Sequence, residues 1–195
     1  KTINDPLMRA VALTDAIDAA ADDIERTRRI PTDVLSKLHN ARLYRMFLPR
    51  TLDGDEVNPG TYLRTIETVA RSDASIGWNL FVANSAALIA PHLVPTSAQA
   101  IFSPANAIVA WGPPNLAIAT LEPGGYRISG RWDFASGCRD ATWMGLHCHV
   151  MDSGGERRLN AVGRPVILTM LFPIEQATLI DTWDTIGLRG TASDS

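Results

Sequence analysis

The pattern of apolar residues changes near Pro104, and this change restricts the folds that the chain can adopt. Before Pro104, apolar residues recur at intervals of three and four, which predicts amphipathic helices. After Pro104, short apolar segments are separated by turns rich in glycine and proline, which predicts strands. Helices followed by a run of strands indicate an α+β fold. We therefore predict a helical domain over residues 1–104 and a small antiparallel β-barrel or sandwich over residues 105–195.

The helical half divides at its prolines and at its capping side chains. Asn4-Asp5-Pro6 is typical of a helix start, and Pro31 ends that helix. Further helices are predicted over residues 32–40, from residue 61, over residues 76–90 and over residues 96–102. The helix over 76–90, with Asp73 or Ser75 as its cap, is apolar on almost every side. That composition predicts burial in a larger assembly than this chain provides.

The β half contains six predicted strands, over residues 108–111, 115–121, 126–134, 143–150, 166–172 and 177–183. Gly124-Gly125 suits a tight hairpin turn between the second strand and the third, because glycine adopts positive φ without strain. Residues 183–195 have the pattern of a strand and a loop, with no closing element. We therefore expect the 195 residues to be the front part of a longer protein.

The stretch GGYRISGRWDFASGCRDATW, at residues 124–143, indicates a ligand site. Its apolar residues alternate with polar ones, and Gly130 interrupts the apolar row, as a bulge or a close backbone approach would. After Phe134 the chain changes to the small residues Ala135-Ser136-Gly137. Aromatic rings beside small hydrogen-bonding residues suit a planar ligand with polar edges, such as a flavin. The alternative is a bulged strand that leads into an ordinary turn.

Charge and composition exclude some partners. The net charge is −3 with no basic block, so we expect no nucleic-acid partner. Two cysteines, Cys138 and Cys148, are too few for a disulfide framework, and a reducing, cytoplasmic setting is expected. No run of eighteen apolar residues is present, so no membrane association is expected.

Other reactive side chains have more ordinary explanations. His147 and His149 share one face of a strand, a spacing that suits a metal, but no carboxylate or cysteine cluster accompanies them, and we predict no metal site. His92 could approach a substrate pocket, although a surface or cap position is favoured. Cys138 could be reactive, but a buried small hydrophobe is favoured. No G-x-S-x-G or G-x-G-x-x-G motif indicates a hydrolase or a Rossmann site.

Two segments together resemble one family. The stretch quoted above and DTWDTIGLRGTASDS, at residues 181–195, are similar to the acyl-CoA dehydrogenase superfamily of flavoproteins, and most to its two-component flavin-dependent monooxygenases. SDASIGW, at residues 72–78, also resembles this branch. The resemblance implies a helical domain, a β-domain and a C-terminal four-helix bundle, of which the bundle is absent from this chain. It also implies FAD or FMN bound between the β-domain and the bundle, and a homodimer or homotetramer.

The resemblance implies that two segments line the flavin. Ala110, Trp111 and Gly112 would form the first, and Phe134, Ala135 and Ser136 the second. Phe134 would stack near the isoalloxazine ring. Ser136 would hydrogen-bond near the reactive edge of that ring, which makes it the predicted catalytic residue.

Three further residues are predicted to contact a substrate: Trp78, Asn84 and Arg189. Asn84 occupies the region in which some hydroxylases carry a histidine. Arg189 could hold an anionic substrate or a flavin phosphate. The ordinary alternatives are a core position for Trp78 and a surface ion pair for Arg189.

Departures from the dehydrogenase pattern favour the monooxygenase branch. Dehydrogenases commonly have Thr-Glu-Pro where this chain has Trp111-Gly112-Pro113, and Trp-Ile-Thr where it has Phe134-Ala135-Ser136. We predict a hydroxylase that uses reduced flavin and oxygen on a small aromatic substrate, with a separate flavin reductase as a partner. One alternative is an acyl-CoA dehydrogenase whose catalytic base lies beyond Ser195. The other is a non-catalytic scaffold, suggested by the absence of a histidine near Asn84.

Overall fold

The computed structural model describes residues 5–113 and 117–195. Two sequence predictions lie outside these residues: the capping residue Asn4 and the start of the second strand at Asn115. The helices are α1 (Pro6–Val11), α2 (Thr14–Asp18), α3 (Ala21–Thr27), α4 (Thr32–Asn40), α5 (Pro59–Ser72), α6 (Ala74–Ala87) and α7 (Pro95–Phe102). The strands are β1 (Val109–Gly112), β2 (Ile118–Glu122), β3 (Gly125–Ser129), β4 (Trp143–Met151) and β5 (Ile167–Pro173).

The first predicted helix is divided into three. Two turns, at residues 12–13 and 19–20, separate α1, α2 and α3. The predicted inward face is nevertheless buried, because Ile17 and Ile24 join Val34, Leu38 and Leu80 in one apolar core. The helices α4, α5, α6 and α7 lie where the sequence predicts helices.

Helices α5 and α6 pack closely because a glycine lies between them. A Cβ placed on Gly77 would lie 2.6 Å from the Cβ of Ala70, which is closer than two non-bonded carbon atoms approach in proteins. Asp73 caps α6 by accepting the Ile76 N–H at 2.8 Å, as one of the two predicted caps. The close contact with α5 fixes the orientation of α6 and therefore the direction of its side chains.

Helix α6 exposes part of its apolar surface within this chain, and its predicted burial in a larger assembly stays a prediction. Its inner residues Ile76, Leu80 and Ala83 are buried, but Trp78, Phe81 and the following Leu88 are exposed. Within the described residues, the helix therefore has one buried face and one exposed apolar face. The exposed face lies beside the loop that follows Phe134, because Trp78 contacts Ser136.

The five described strands form one mixed sheet. Both β1 and β2 pair with β4 in parallel, whereas β2–β3 and β4–β5 are antiparallel. The predicted antiparallel barrel is therefore corrected to a mixed sheet with β4 at its centre. The predicted hairpin is confirmed, since Gly124 has φ 88° and Glu122 pairs with Gly125. Gly130 is a point of close approach, because a Cβ there would lie 2.5 Å from the Cβ of Ala117.

The C-terminal segment packs against the loop that precedes β4. Residues 177–183 are predicted as a strand but form no strand in the described part of the chain. Ile180 and Ser195 instead exchange backbone hydrogen bonds, and Ala135 pairs with Asp194 in an isolated bridge. The division of the chain at residue 104 falls between α7 and β1 and stays a prediction. None of the helices in the described ranges is long and apolar enough to cross a membrane.

Candidate functional site

The loop from Phe134 to Cys138 is held by the segment from Leu188 to Ser195. Within it, the Ala135 N–H donates to the Asp194 carbonyl at 2.9 Å, and the Gly137 N–H donates to the Thr191 carbonyl at 2.8 Å. Phe134 has φ 62° and Gly137 has φ 78°. A left-handed conformation is ordinary for glycine but strained for phenylalanine, and such strain is concentrated at functional sites. The surrounding hydrogen bonds hold Phe134 in this conformation.

Two exposed aromatic rings flank a buried serine. The side chain of Phe134 is 61% exposed, and its ring meets that of Trp183 edge-on at 5.9 Å. Trp78 is 46% exposed and donates its indole N–H to Ser136 Oγ at 3.0 Å. Ser136 itself is 8% exposed. We call Trp78, Phe134, Ser136 and Trp183 the aromatic site. It offers flat apolar surfaces beside a polar atom, which suits a planar ligand.

Three buried hydroxyl groups extend inward from the aromatic site. Ser136 Oγ lies 2.7 Å from Ser193 Oγ, and Ser193 Oγ lies 2.7 Å from Thr191 Oγ1. Thr191 Oγ1 donates to the Leu188 carbonyl at 2.9 Å. We call Ser136, Ser193 and Thr191 the hydroxyl row. It ties the loop to the C-terminal segment by side chains as well as by backbone.

The predicted residues of β1 reach the aromatic site through their backbone. Trp111 forms an isolated antiparallel bridge with Ser136. Ala110 and Ala135 are both buried, and they pack together in a small core. Gly112 packs closely against β4, since a Cβ there would lie 2.4 Å from Leu146 Cδ2 and that methyl group would have to shift. The structure thus brings both predicted segments together.

Asn84 does not face the aromatic site. It is fully buried, and its Oδ1 accepts the Met46 N–H at 2.9 Å and the Phe47 N–H at 3.3 Å. Its Nδ2 donates to the Leu43 and Leu80 carbonyls, each at 2.9 Å. These four bonds use the whole hydrogen-bonding capacity of an amide. The Asn84 amide therefore has a structural role in this chain, and its predicted contact with a substrate stays a prediction.

Arg189 is occupied by partners within the chain. Its Nη1 lies 2.8 Å from an Asp184 carboxylate oxygen and donates to the Thr185 carbonyl at 2.8 Å, while its Nε donates to the Glu25 carbonyl at 2.9 Å. The structure contains an ion pair of Arg189 with Asp184, which is the ordinary alternative given for this residue in the sequence analysis. Arg189 thereby joins the end of α3 to the C-terminal segment, and we do not retain it as a substrate contact.

The other candidate groups are structural or exposed. Burial raises the pKa of both Cys138 and Cys148 to about 11, so their thiols stay protonated near neutral pH. His147 Nδ1 is hydrogen-bonded to Thr169 Oγ1 at 2.9 Å, and burial lowers the pKa of its imidazole. His92 is exposed at the end of a short turn after α6. Among residues 5–113 and 117–195, no group of three or more His, Cys, Asp or Glu side chains is placed to hold a metal ion.

Comparison with known proteins relates this geometry to a reaction class. No family model matches the chain. The chain is 30% identical over 195 residues to the oxygenase component of an FADH(2)-dependent resorcinol hydroxylase of Rhizobium sp., covering 95% of this chain and 44% of that protein. It is 29% identical over 177 residues to an indole-3-acetate monooxygenase of Acinetobacter baumannii, covering 90% of this chain and 43% of that protein.

Solved structures agree in fold. XiaF from Streptomyces sp., in complex with FADH2 and glycerol, has a TM-score of 0.88 at 24% identity and covers 97% of this chain and 46% of XiaF. A 3-HSA hydroxylase from Rhodococcus sp. has a TM-score of 0.87 at 24% identity, over 97% of this chain and 47% of that structure. The chain is similar in sequence to the oxygenase components of flavin-dependent monooxygenases. It has their acyl-CoA dehydrogenase-like fold and spans less than half the length of these two curated relatives.

The sequence alone indicates no role for three residues of the site. Trp183, Thr191 and Ser193 lie in the segment that carries the resemblance, but the sequence does not say that they contact Phe134 and Ser136. The available signal is the alternation of hydroxyl side chains at residues 191, 193 and 195. Alternation places side chains on one face of an extended segment, but it does not indicate which residues those side chains contact.

A cavity of about 520 Å³ is lined by residues that include Ala135 and Ser195. Its walls come from the end of β3, from β4 and β5, and from residues 176–180. Of the predicted site residues, Ala135 alone lines it within the described part of the chain. Trp78, Phe134, Ser136 and Trp183 do not line this cavity, so the aromatic site is separate from it.

Proposed function

We propose that this chain provides the helical part and the β part of a flavin-dependent monooxygenase. The enzyme would use reduced FAD or FMN and oxygen to hydroxylate a small aromatic compound. The observation that carries the proposal is the aromatic site, in a chain whose relatives include an FADH(2)-dependent hydroxylase and an indole-3-acetate monooxygenase. A separate flavin reductase and assembly into a dimer or tetramer are parts of the same proposal.

The residues of the aromatic site fit an isoalloxazine ring. Phe134 presents an exposed ring at a backbone position that is held under strain, and Trp78 presents a second exposed ring. A planar aromatic ligand would cover these surfaces and remove them from water, which is favourable for apolar groups. Ser136 Oγ, two residues after Phe134, bonds the Trp78 indole and the buried Ser193 hydroxyl.

Each residue then has a distinct task. Phe134 would support one face of the ring, and the backbone around Trp111 and Ser136 would position its polar edge. Trp78 would exclude water from the reacting side, since its indole is fixed to Ser136. The bound flavin would supply the electrons that activate oxygen, and the protein would supply orientation and a dry environment.

Flavin binding tests the proposal. The protein is titrated anaerobically with oxidised and with reduced FAD and FMN, and binding is followed by absorbance and fluorescence. We expect tight binding of the reduced form, and we expect Phe134→Ala to weaken it about tenfold or more through loss of ring contact. Leu63→Ala, which removes an exposed apolar side chain from α5, is the matched control and should leave binding unchanged.

Turnover separates the remaining possibilities. With a flavin reductase, NADH and a panel of phenols and indoles, a monooxygenase consumes oxygen and forms a hydroxylated product. A protein that holds oxidised FAD and passes electrons from an acyl-CoA to an artificial acceptor is a dehydrogenase. Failure to bind flavin in either redox state contradicts both readings and supports a non-catalytic scaffold.

A further inference from the structure

The hydroxyl row has a defined hydrogen-bond direction. The Leu188 carbonyl can only accept, so Thr191 must direct its one hydroxyl hydrogen there. Thr191 Oγ1 then accepts from Ser193, and Ser193 Oγ in turn accepts from Ser136. Any reversal would leave Thr191 Oγ1 and the Leu188 oxygen 2.9 Å apart without a hydrogen between them. This direction alone supplies a hydrogen to every contact in the row.

Ser136 therefore faces the aromatic site as an acceptor. Its hydrogen is directed inward to Ser193, and one of its lone pairs receives the Trp78 indole N–H. A hydroxyl has one hydrogen and two lone pairs, so a single lone pair remains for a ligand. Thr191 and Ser193 are buried, and the row has no exposed member at its inner end. The surrounding protein, and not solvent, thus sets the direction.

We propose that the hydroxyl row makes the site select reduced flavin over oxidised flavin. This inference rests on the proposed function and concerns Ser193 and Thr191 as positioning residues. Two-electron reduction adds a hydrogen to the central-ring nitrogen N5, which becomes a donor, whereas in oxidised flavin the same nitrogen is only an acceptor. The proposal includes the placement of N5 against Ser136 Oγ. With N5 there, a hydroxyl that can only accept would pair with the reduced form and would oppose the oxidised form with two facing lone pairs.

The first test removes the group that receives the Ser136 hydrogen. In Ser193→Ala, the Ser136 hydroxyl can turn its hydrogen towards the ligand. We expect the ratio of oxidised to reduced dissociation constants to fall about threefold to tenfold, the range of one neutral hydrogen bond. Both constants are measured by anaerobic titration at equilibrium, independently of turnover. Ser36→Ala, which removes an exposed hydroxyl from α4, is the control and should not change the ratio.

A nearly isosteric change excludes an effect of cavity formation. Thr191→Val keeps the side-chain volume but removes the acceptor for Ser193, which can then donate to Ser136 and free the Ser136 hydrogen. We expect the same fall in the ratio, and we expect Thr191→Ser to restore the wild-type value because it restores the hydroxyl. Rescue by serine would not follow if Thr191 contributed packing alone.

The unaltered protein provides an independent measurement. Oxidised 5-deazaflavin has a C–H group in place of N5, so it brings no lone pair against Ser136. We expect wild-type protein to bind it more tightly than oxidised flavin with the same side chain. Equal affinity for the two, or an unchanged redox ratio in Ser193→Ala and Thr191→Val, would overturn the inference. Absence of flavin binding in wild-type protein would instead overturn the proposed function.

Discussion

At the scale of single residues, Trp78 and Asn84, both on α6, show how one helix contributes to both a surface and a core. Trp78 is exposed and contacts Ser136, while Asn84 is fully buried and bonds four backbone groups. Those groups belong to the segment over residues 43–47 and to α6 itself. Asn84 therefore fixes the position of α6 relative to the segment after α4, and through α6 it fixes Trp78.

Replacement of Asn84 should be costly. Asn84→Ala leaves two N–H groups and a carbonyl of the 43–47 segment without their partner in a buried place. We expect a loss of about 2–4 kcal/mol in the free energy of unfolding, because each buried unpaired group costs about 1–3 kcal/mol. Urea denaturation followed by circular dichroism measures it. Ser85→Ala, which loses one bond to the Phe81 carbonyl on the same helix, should change the value by less than about 1 kcal/mol. Equal losses would contradict a structural role specific to Asn84.

The sequence could not distinguish these residue roles. The apolar residues of α6 surround the helix, so periodicity does not identify its inner face. The resemblance implies that Asn84 contacts a substrate, whereas the structure shows its side chain bonded to four backbone groups. Local composition indicates the loop that carries Phe134 and Ser136, whereas their partners Trp183 and Ser193 lie about fifty residues away along the chain.

At the scale of elements, the positions of the later helices were predictable, and the direction of strand pairing in the sheet was not. Capping residues and prolines are local signals, and they place α4, α5, α6 and α7 within a few residues of the structure. Strand direction is a long-range property. The apolar alternation of a short strand is the same beside a parallel or an antiparallel neighbour, so the parallel pairing of β1 and β2 with β4 had no sequence signal.

The contact between α5 and α6 provides a test at this scale. Gly77→Ala places a methyl group 2.6 Å from Ala70 Cβ and 2.9 Å from Ala70 Cα, so the helices must separate. We expect a loss of about 1–3 kcal/mol in the free energy of unfolding, the usual cost of overpacking. Thermal and urea denaturation measure it.

A second substitution distinguishes overpacking from a local effect on α6. Ala70→Gly removes the Cβ that the new methyl group meets, so part of the loss should be recovered in the double variant Ala70→Gly/Gly77→Ala. The free energies of the two single variants should therefore not add, because the residues are in direct contact. Strict additivity would show that the cost of Gly77→Ala does not arise at this contact.

At the scale of the whole molecule, one charged network joins the helical half to the β half. Arg28, at the end of α3, is paired with Asp181 at 2.8 Å, and Asp181 is also paired with Arg139 at 2.9 Å. Arg139 is in turn paired with Asp194, which is buried and accepts the backbone N–H groups of Thr182 and Trp183 at 2.9 Å each. The same aspartate contributes the carbonyl that holds the Ala135 N–H. The network therefore fixes the C-terminal segment that carries the inner part of the hydroxyl row.

The charge of Asp194 should stabilise the molecule in a pH-dependent manner. Burial alone would raise the pKa of Asp194, but hydrogen bonds from Arg139 and from two backbone N–H groups hold it below its ordinary value of 3.8. A carboxyl with a lowered folded-state pKa stabilises the protein above its unfolded pKa, and that contribution is lost as the pH falls through the folded value. Asp194→Asn should therefore be most harmful near neutral pH.

We expect Asp194→Asn to lower the free energy of unfolding by about 2–4 kcal/mol at pH 7, because Arg139 loses its buried partner but keeps Asp181. The deficit relative to wild type should persist down to about pH 4. Below that pH it should shrink, because Asp194 becomes protonated first in the unfolded wild-type chain and then, at lower pH, in the folded one. Urea denaturation at a series of pH values measures the deficit. Asp184→Asn, which breaks an exposed pair with Arg189, should cost less than about 1 kcal/mol. A deficit for Asp194→Asn that stays constant into acid would mean that the shape of the side chain, and not its charge, holds the two halves together.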